Sequence, residues 1–126
     1  MDRKKIMLVD DDEDFLDITS QRIKMWEYEV LTATNGVDAI ELFKKSKPDA
    51  IILDYLMPNI NGVQLLAKIR AIDSKVPAII FTSCPESNGI EKAKRIGIVA
   101  FVPKLSPYAD AQENLKVALD IAFKEK

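Results

Sequence analysis

The sequence has 126 residues, a formal net charge of −2, no histidine and a single cysteine, Cys84. Without an imidazole, a Ser-His-Asp triad and a histidine-ligated zinc or haem are excluded, so any metal chemistry must use oxygen ligands. One thiol forms no disulfide within the chain, and the nearly balanced charge lacks the basic footprint of a nucleic-acid-binding protein.

The apolar runs of the sequence are far shorter than the ~20 residues that span a bilayer. The N-terminal residues MDRKK lead into a strand-length run and do not resemble a signal peptide. We therefore expect one soluble cytoplasmic domain over residues 1–126, with no direct contact to nucleic acid or membrane.

Five short apolar runs alternate with helix-period stretches, which predicts an α/β protein. The predicted strands are Ile6 to Val9, Val30 to Ala33, Ala50 to Leu53, Ala78 to Phe81 and Ile98 to Val102. Each run is continuously apolar, as expected of parallel strands that helices cover on both faces. The stretches after the runs predict five helices, and the first three are predicted to start at Asp12, Asn35-Gly36 and Asn61-Gly62.

Polar side chains lie just after four of the predicted strands. Asp10, Asp11 and Asp12 follow the first, Asp54 follows the third, Thr82 and Ser83 follow the fourth, and Lys104 follows the fifth. Ligands bind beyond the carboxyl ends of the strands in an open parallel sheet, so these groups are expected to converge.

Clustered carboxylates need a cation, and an all-oxygen set suits Mg²⁺. Together with a hydroxyl and a lysine, they indicate phosphoryl transfer to an aspartate. Asp12 is better explained as a helix cap than as a ligand.

Four segments resemble the receiver domain of two-component response regulators, and the resemblance covers essentially the whole chain. They are KIMLVDDDEDF, PDAIILDYLMPNINGVQLL, VPAIIFTS and GIVAFVPK. The most specific signal is the D-x-x-M-P-x-x-x-G spacing of Asp54, Met57, Pro58 and Gly62. The resemblance implies a single-domain α/β fold of the flavodoxin-like type, a doubly wound five-stranded parallel sheet of order 2-1-3-4-5 with five helices.

The same resemblance implies a phosphoaspartate switch and a role for each residue at this edge. These roles are Asp54 as phosphoacceptor, Thr82 and Lys104 as contacts of the phosphoryl group, Asp10, Asp11, Asp54 and the backbone carbonyl of Leu56 as Mg²⁺ ligands, and Thr82 and Phe101 as switch residues. Because the chain has no histidine, the phosphohistidine donor must be a partner, a histidine kinase or a histidine phosphotransfer protein.

The implied output surface is formed by the fourth helix, the fifth strand and the fifth helix. It would bind a downstream effector or output domain, or a second copy of the chain in a homodimer. Ile90, Ile98 and Leu105 are candidates for that contact, with core or loop packing as the alternative for each.

One departure from the family pattern and one pair of apolar side chains lead to further predictions. Leu105 follows Lys104 where the family has a proline in a cis peptide bond. A cis bond between Lys104 and Leu105 would cost ~3 kcal/mol more than a cis bond before proline. We therefore predict a rearranged or more mobile loop at this point. Leu56 and Cys84 occupy positions where a polar side chain would orient a hydrolytic water, so we predict slow loss of the phosphoryl group.

Three other functions fit parts of the pattern. A haloacid-dehalogenase-type phosphatase has the D-x-D of Asp10 to Asp12, but Asp14 stands where that motif has Thr or Val. A flavodoxin would need a phosphate-binding loop where this chain has acids. A receiver-like module that acts by protein contact alone would not need the complete set of acids, threonine and lysine.

Overall fold

The computed structural model describes residues 3–83, 89–104 and 111–124. Cys84, Leu105 and the side chain of Ile90, which carry predictions above, lie outside this part of the chain. Strands and helices alternate as β1 (Lys5–Val9), α1 (Glu13–Met25), β2 (Glu29–Ala33), α2 (Gly36–Ser46), β3 (Ala50–Leu53), α3 (Gly62–Ile72), β4 (Ala78–Thr82), α4 (Gly89–Ile96), β5 (Ala100–Pro103) and α5 (Ala111–Lys124).

The five strands form one parallel sheet in the order β2-β1-β3-β4-β5, which confirms the predicted topology. The first four strands agree with the predicted runs to within one residue at either end. The prediction that the fifth begins at Ile98 was wrong, since β5 begins at Ala100. Gly97 has a φ of 107° and turns the chain after α4. The Val99 amide donates the first hydrogen bond to β4, to the Ala78 carbonyl at 2.8 Å, and residue pairing begins at Ala100 opposite Ile79.

The side chains of the sheet point alternately into two apolar layers. Met7 and Val9 pack with residues of α2, α3 and α4, whereas Ile6 and Leu8 pack with residues of α1 and α5. Both faces of the central strands are therefore buried, which explains why their sequences are continuously apolar.

The first three helices begin at side-chain caps. The Asp12 carboxylate accepts from the Phe15 amide at 3.2 Å, Asn35 accepts from the Asp38 amide at 2.9 Å, and Asn61 accepts from the Gln64 amide at 2.8 Å. These bonds satisfy amides that a helix N-terminus leaves without partners. The predicted starts are confirmed, and so is the interpretation of Asp12 as a cap.

The surroundings of Gly62 explain why the D-x-x-M-P-x-x-x-G spacing ends in a glycine. Its amide donates to the Tyr55 carbonyl at 2.8 Å, so the loop folds back onto the end of β3. A Cβ at this position would lie 2.4 Å from the Asp54 backbone oxygen, closer than any real contact. A larger residue would therefore push α3 away from the strand that carries Asp54.

We expect Gly62→Ala to lower the free energy of unfolding by about 1–3 kcal/mol in urea denaturation, because backbone atoms cannot move aside. Gly36→Ala is the matched control, since Gly36 also begins a helix but the three atoms nearest to its added Cβ all belong to the Ile60 side chain. In an Ile60→Ala background the Gly36→Ala change is expected to cost nothing. Wild-type stability in the Gly62→Ala variant would contradict this explanation.

Candidate functional site

The site lies where β1 and β3 end side by side. The Asp10 amide donates to the Ala33 carbonyl at 3.1 Å, and the Asp54 amide donates to the Val9 carbonyl at 2.9 Å, so both backbones are fixed by neighbouring strands. This is the point where the chain order in the sheet reverses, the usual ligand-binding crevice of such folds.

Three carboxylates meet in this crevice, as the sequence predicted. One oxygen from each of Asp10, Asp11 and Asp54 lies within 4.8 Å of the others. Asp10 and Asp54 are buried, with 2% and 5% of their surface exposed, whereas Asp11 faces solvent. Asp10 Oδ1 also accepts from the Asp12 amide at 3.0 Å, which fixes the orientation of its carboxylate.

Lys104 brings a positive charge to the buried carboxylates from the far side of β4. Its ammonium donates to Asp10 Oδ2 and lies 3.2 Å from Asp54 Oδ1. The Lys104 amide donates to the Thr82 carbonyl at 2.6 Å, so the residue is attached to the end of β4. A single cation thus pairs with the carboxylates that follow two different strands.

Asp54 is the most perturbed carboxyl group of the site. Burial is the main reason that its pKa rises from 3.8 to about 6, and the charges of Asp10 and Asp11 raise the pKa further, while Lys104 lowers it. Its buried Oδ1 accepts no hydrogen bond within the described residues, although the Lys104 ammonium is close. This oxygen is therefore able to accept a further positive or electrophilic group.

The donor set fits a magnesium ion. Mg²⁺ prefers oxygen ligands, takes one or two carboxylates and retains several waters, and here Asp11 leaves one side open to solvent. Asp10, Asp11 and Asp54 would hold the ion. Asp12 does not join this group, because its carboxylate caps α1.

The remaining predicted site residues lie around this centre. Thr82 is fully buried at the end of β4. Phe101 lies in β5, three residues before Lys104, and is half-buried against the layer formed by α2, α3 and α4. The side chain of Leu56 is 50% exposed in the loop after β3.

Sequence reasoning missed one neighbour of the site, Phe15 in the first turn of α1. The structure places the Lys104 ammonium 4.2 Å from the centroid of the Phe15 ring. Helical spacing gives no sign of such a contact, since the lysine is far away in the sequence.

Comparison with known proteins identifies the family. Residues 6–116 match the family model of the response regulator receiver domain. The chain belongs to this family. Receiver domains are phosphoacceptor signalling modules of two-component systems and not turnover enzymes, which excludes the phosphatase considered from the sequence.

Known receiver proteins resemble this one along most of its length. Sporulation initiation phosphotransferase F of Bacillus subtilis (strain 168) is 28% identical over 121 residues, which are 96% of this chain and 98% of that protein. The signal receiver domain of an HD domain-containing protein from Pseudomonas fluorescens Pf-5 superposes with a TM-score of 0.88 at 27% identity, covering 98% of this receiver and 97% of that structure.

Other relatives are much longer than this receiver. A response regulator receiver protein of Anaeromyxobacter sp. (strain Fw109-5) is 32% identical over 101 residues, and the match covers 80% of this chain but 42% of that protein. The chain therefore spans less than half the length of that relative. Within the part of the receiver that the structure describes, no helix has the length and apolar character needed to cross a membrane.

We expect Asp54→Asn to raise the free energy of unfolding at pH 7.5, without divalent metal, by about 1–3 kcal/mol, because it removes a charge that burial and two acids disfavour. The raised pKa means that the wild type loses stability as pH rises from about 4 to about 6, where the folded state retains a proton that the unfolded state has released.

The stability difference between wild type and Asp54→Asn is therefore expected to grow across that pH range and then stay constant. Denaturation curves of both proteins at a series of pH values measure it, and titrating groups that do not interact with Asp54 cancel in the difference. A variant less stable than wild type at pH 7.5 would contradict this account of Asp54.

Proposed function

We propose that this receiver is a phosphoaspartate switch that accepts a phosphoryl group on Asp54 from the phosphohistidine of a histidine kinase or a histidine phosphotransfer protein. The observation that carries the proposal is the position of Asp54, a buried carboxylate in contact with Lys104 and within reach of Asp10 and Asp11. We place the reaction in the cytoplasm, where ATP is available as the phosphoryl donor of the kinase that forms the phosphohistidine.

In the transfer, a carboxylate oxygen of Asp54 attacks phosphorus and a new O–P bond forms. The N–P bond to the partner's imidazole breaks, and its electron pair stays on that nitrogen. Lys104 balances the negative charge of the phosphoryl oxygens because its ammonium already lies beside Asp54. The Thr82 hydroxyl is proposed to donate a hydrogen bond to the same group.

Asp10 and Asp11 would complete the reaction site by holding Mg²⁺ with Asp54, and the Leu56 carbonyl is the proposed fourth protein ligand. When bound, the ion supplies electrostatic stabilisation of the transferring phosphoryl group. In the structure Asp10 pairs with Lys104. We propose that Lys104 leaves Asp10 for a phosphoryl oxygen when the site is loaded.

We propose that the phosphoryl group changes the surface formed by α4, β5 and α5 through Thr82 and Phe101. Support comes from exposed apolar side chains on α5, since Val117 is 49% exposed and Ile121 is 45% exposed. Apolar groups of this kind are suited to a partner protein or to a second copy of the chain. Ile98, between α4 and β5, is half-buried and packs against the apolar layer of α2, α3 and α4, which favours core packing over partner contact for this residue.

Incubation with acetyl phosphate and Mg²⁺ tests the proposal, and intact mass measurement is expected to show one added phosphoryl group. Removing Mg²⁺ with a chelator or introducing Asp54→Asn is expected to abolish the adduct. Asp38→Asn is the matched control, since Asp38 is exposed at the start of α2, and it should leave the adduct unchanged. No adduct on the wild type would favour a module that works by protein contact alone.

The phosphoryl group is expected to be long-lived, because Leu56 offers no polar group to orient a hydrolytic water. Leu56→Gln should speed the loss of the phosphoryl group by about fivefold, since one new hydrogen bond is worth roughly 1 kcal/mol. Cys84→Asn should act in the same direction, and Leu56→Met is the apolar control. Decay is followed by intact mass after removal of acetyl phosphate, and equal rates in all variants would refute the prediction.

A further inference from the structure

The Lys104 ammonium has contacts on three sides. Two are carboxylates, Asp10 and Asp54, and the third is the face of the Phe15 ring, with 4.2 Å between Nζ and the ring centroid. The Lys104 side chain is only 12% exposed, so these three groups replace most of the water around the charge. A cation close to an aromatic face is attracted by the ring quadrupole, and the attraction is strongest where water is excluded.

Phe15 is held in place from two directions. Its amide donates to the Asp12 cap at 3.2 Å, which fixes its position in the first turn of α1, next to the acidic residues. Its ring packs against Phe81 with a centroid distance of 5.4 Å and an interplanar angle of 54°. Phe81 is fully buried in β4 beside Thr82, so the Phe15 ring rests on the rigid sheet.

An aromatic face suits a lysine that must change partners. A third carboxylate or carbonyl would bind the ammonium at one point and would oppose its movement. The ring attracts the charge over a broad surface, so the ammonium is able to move between Asp10 and an oxygen bound to Asp54 without losing this contact. The ring also limits the conformations of the long Lys104 side chain before a phosphoryl group is present. Less conformational entropy is then lost when the ammonium binds that group.

We propose that Phe15 is a positioning residue, which holds the Lys104 ammonium at the carboxylates and guides it to the phosphoryl group. The inference rests on the proposed function of Asp54 as phosphoacceptor. Phe15 itself touches no reacting atom and acts only through Lys104.

The test compares Phe15→Leu, which keeps apolar packing on Phe81 but removes the aromatic face, with Phe15→Tyr, which keeps the face. With acetyl phosphate and Mg²⁺, the phosphorylation rate is expected to fall about three- to tenfold in Phe15→Leu and to return close to the wild-type rate in Phe15→Tyr. Phe43→Leu is the matched control, since Phe43 lies in the opposite core layer, and its rate should match the wild type.

Proton NMR of the metal-free protein gives an independent measurement. The ε-methylene protons of Lys104 are expected to resonate upfield of those of exposed lysines such as Lys68, because of the ring current of Phe15. The upfield shift should disappear in Phe15→Leu and remain in Phe15→Tyr.

Ordinary chemical shifts for Lys104 in the wild type, or an undiminished rate in Phe15→Leu, would overturn the positioning role. A loss of rate that Phe15→Tyr does not restore would also overturn it, because it would indicate a packing effect. A wild type that takes up no phosphoryl group would refute the proposed function instead, and the ring-current shift would still decide whether Phe15 holds Lys104.

Discussion

Electrostatic repulsion among three carboxylates at the end of β1 and β3 is the constraint on which the rest of the site depends. Asp10 and Asp54 are buried, and Asp11 lies within reach of both. Burial removes the water that would otherwise screen their charges. The fold meets this constraint with Lys104, which directly follows β5 and approaches both buried acids from the far side of β4.

Charge balance also explains why such a site is suited to signalling. One ammonium does not neutralise three carboxylates, so the excess of negative charge makes the site suitable for a divalent cation. A phosphoryl group on Asp54 would add charge again and give Lys104 a new partner. In the proposed switch this change would begin next to β4 and β5, since the Lys104 amide donates to the Thr82 carbonyl at the end of β4.

The residues alone were sufficient to predict the parallel strands, the helix starts and the meeting of Asp10, Asp11 and Asp54, because continuous apolar runs form central strands and the carboxyl ends of parallel strands share one edge. The order of the strands in the sheet came from the resemblance to receiver domains. The start of β5 was misplaced because Ile98 and Val99 have the composition of a strand, although residue pairing with β4 begins only at Ala100, after Gly97 has turned the chain. The approach of Lys104 to the carboxylates was expected from its position after the fifth strand, whereas its contact with Phe15 depends on the tertiary arrangement and leaves no signal in residue spacing.

The central claim is that Asp54 receives the phosphoryl group, and reduction of the phosphorylated protein with borohydride tests it most directly. Borohydride converts an aspartyl phosphate to homoserine, which peptide mass spectrometry locates in the sequence. The account predicts homoserine at position 54 and an unchanged aspartate at positions 10, 11 and 12. Homoserine at another position, or none in a protein that carries the phosphoryl group, would contradict it.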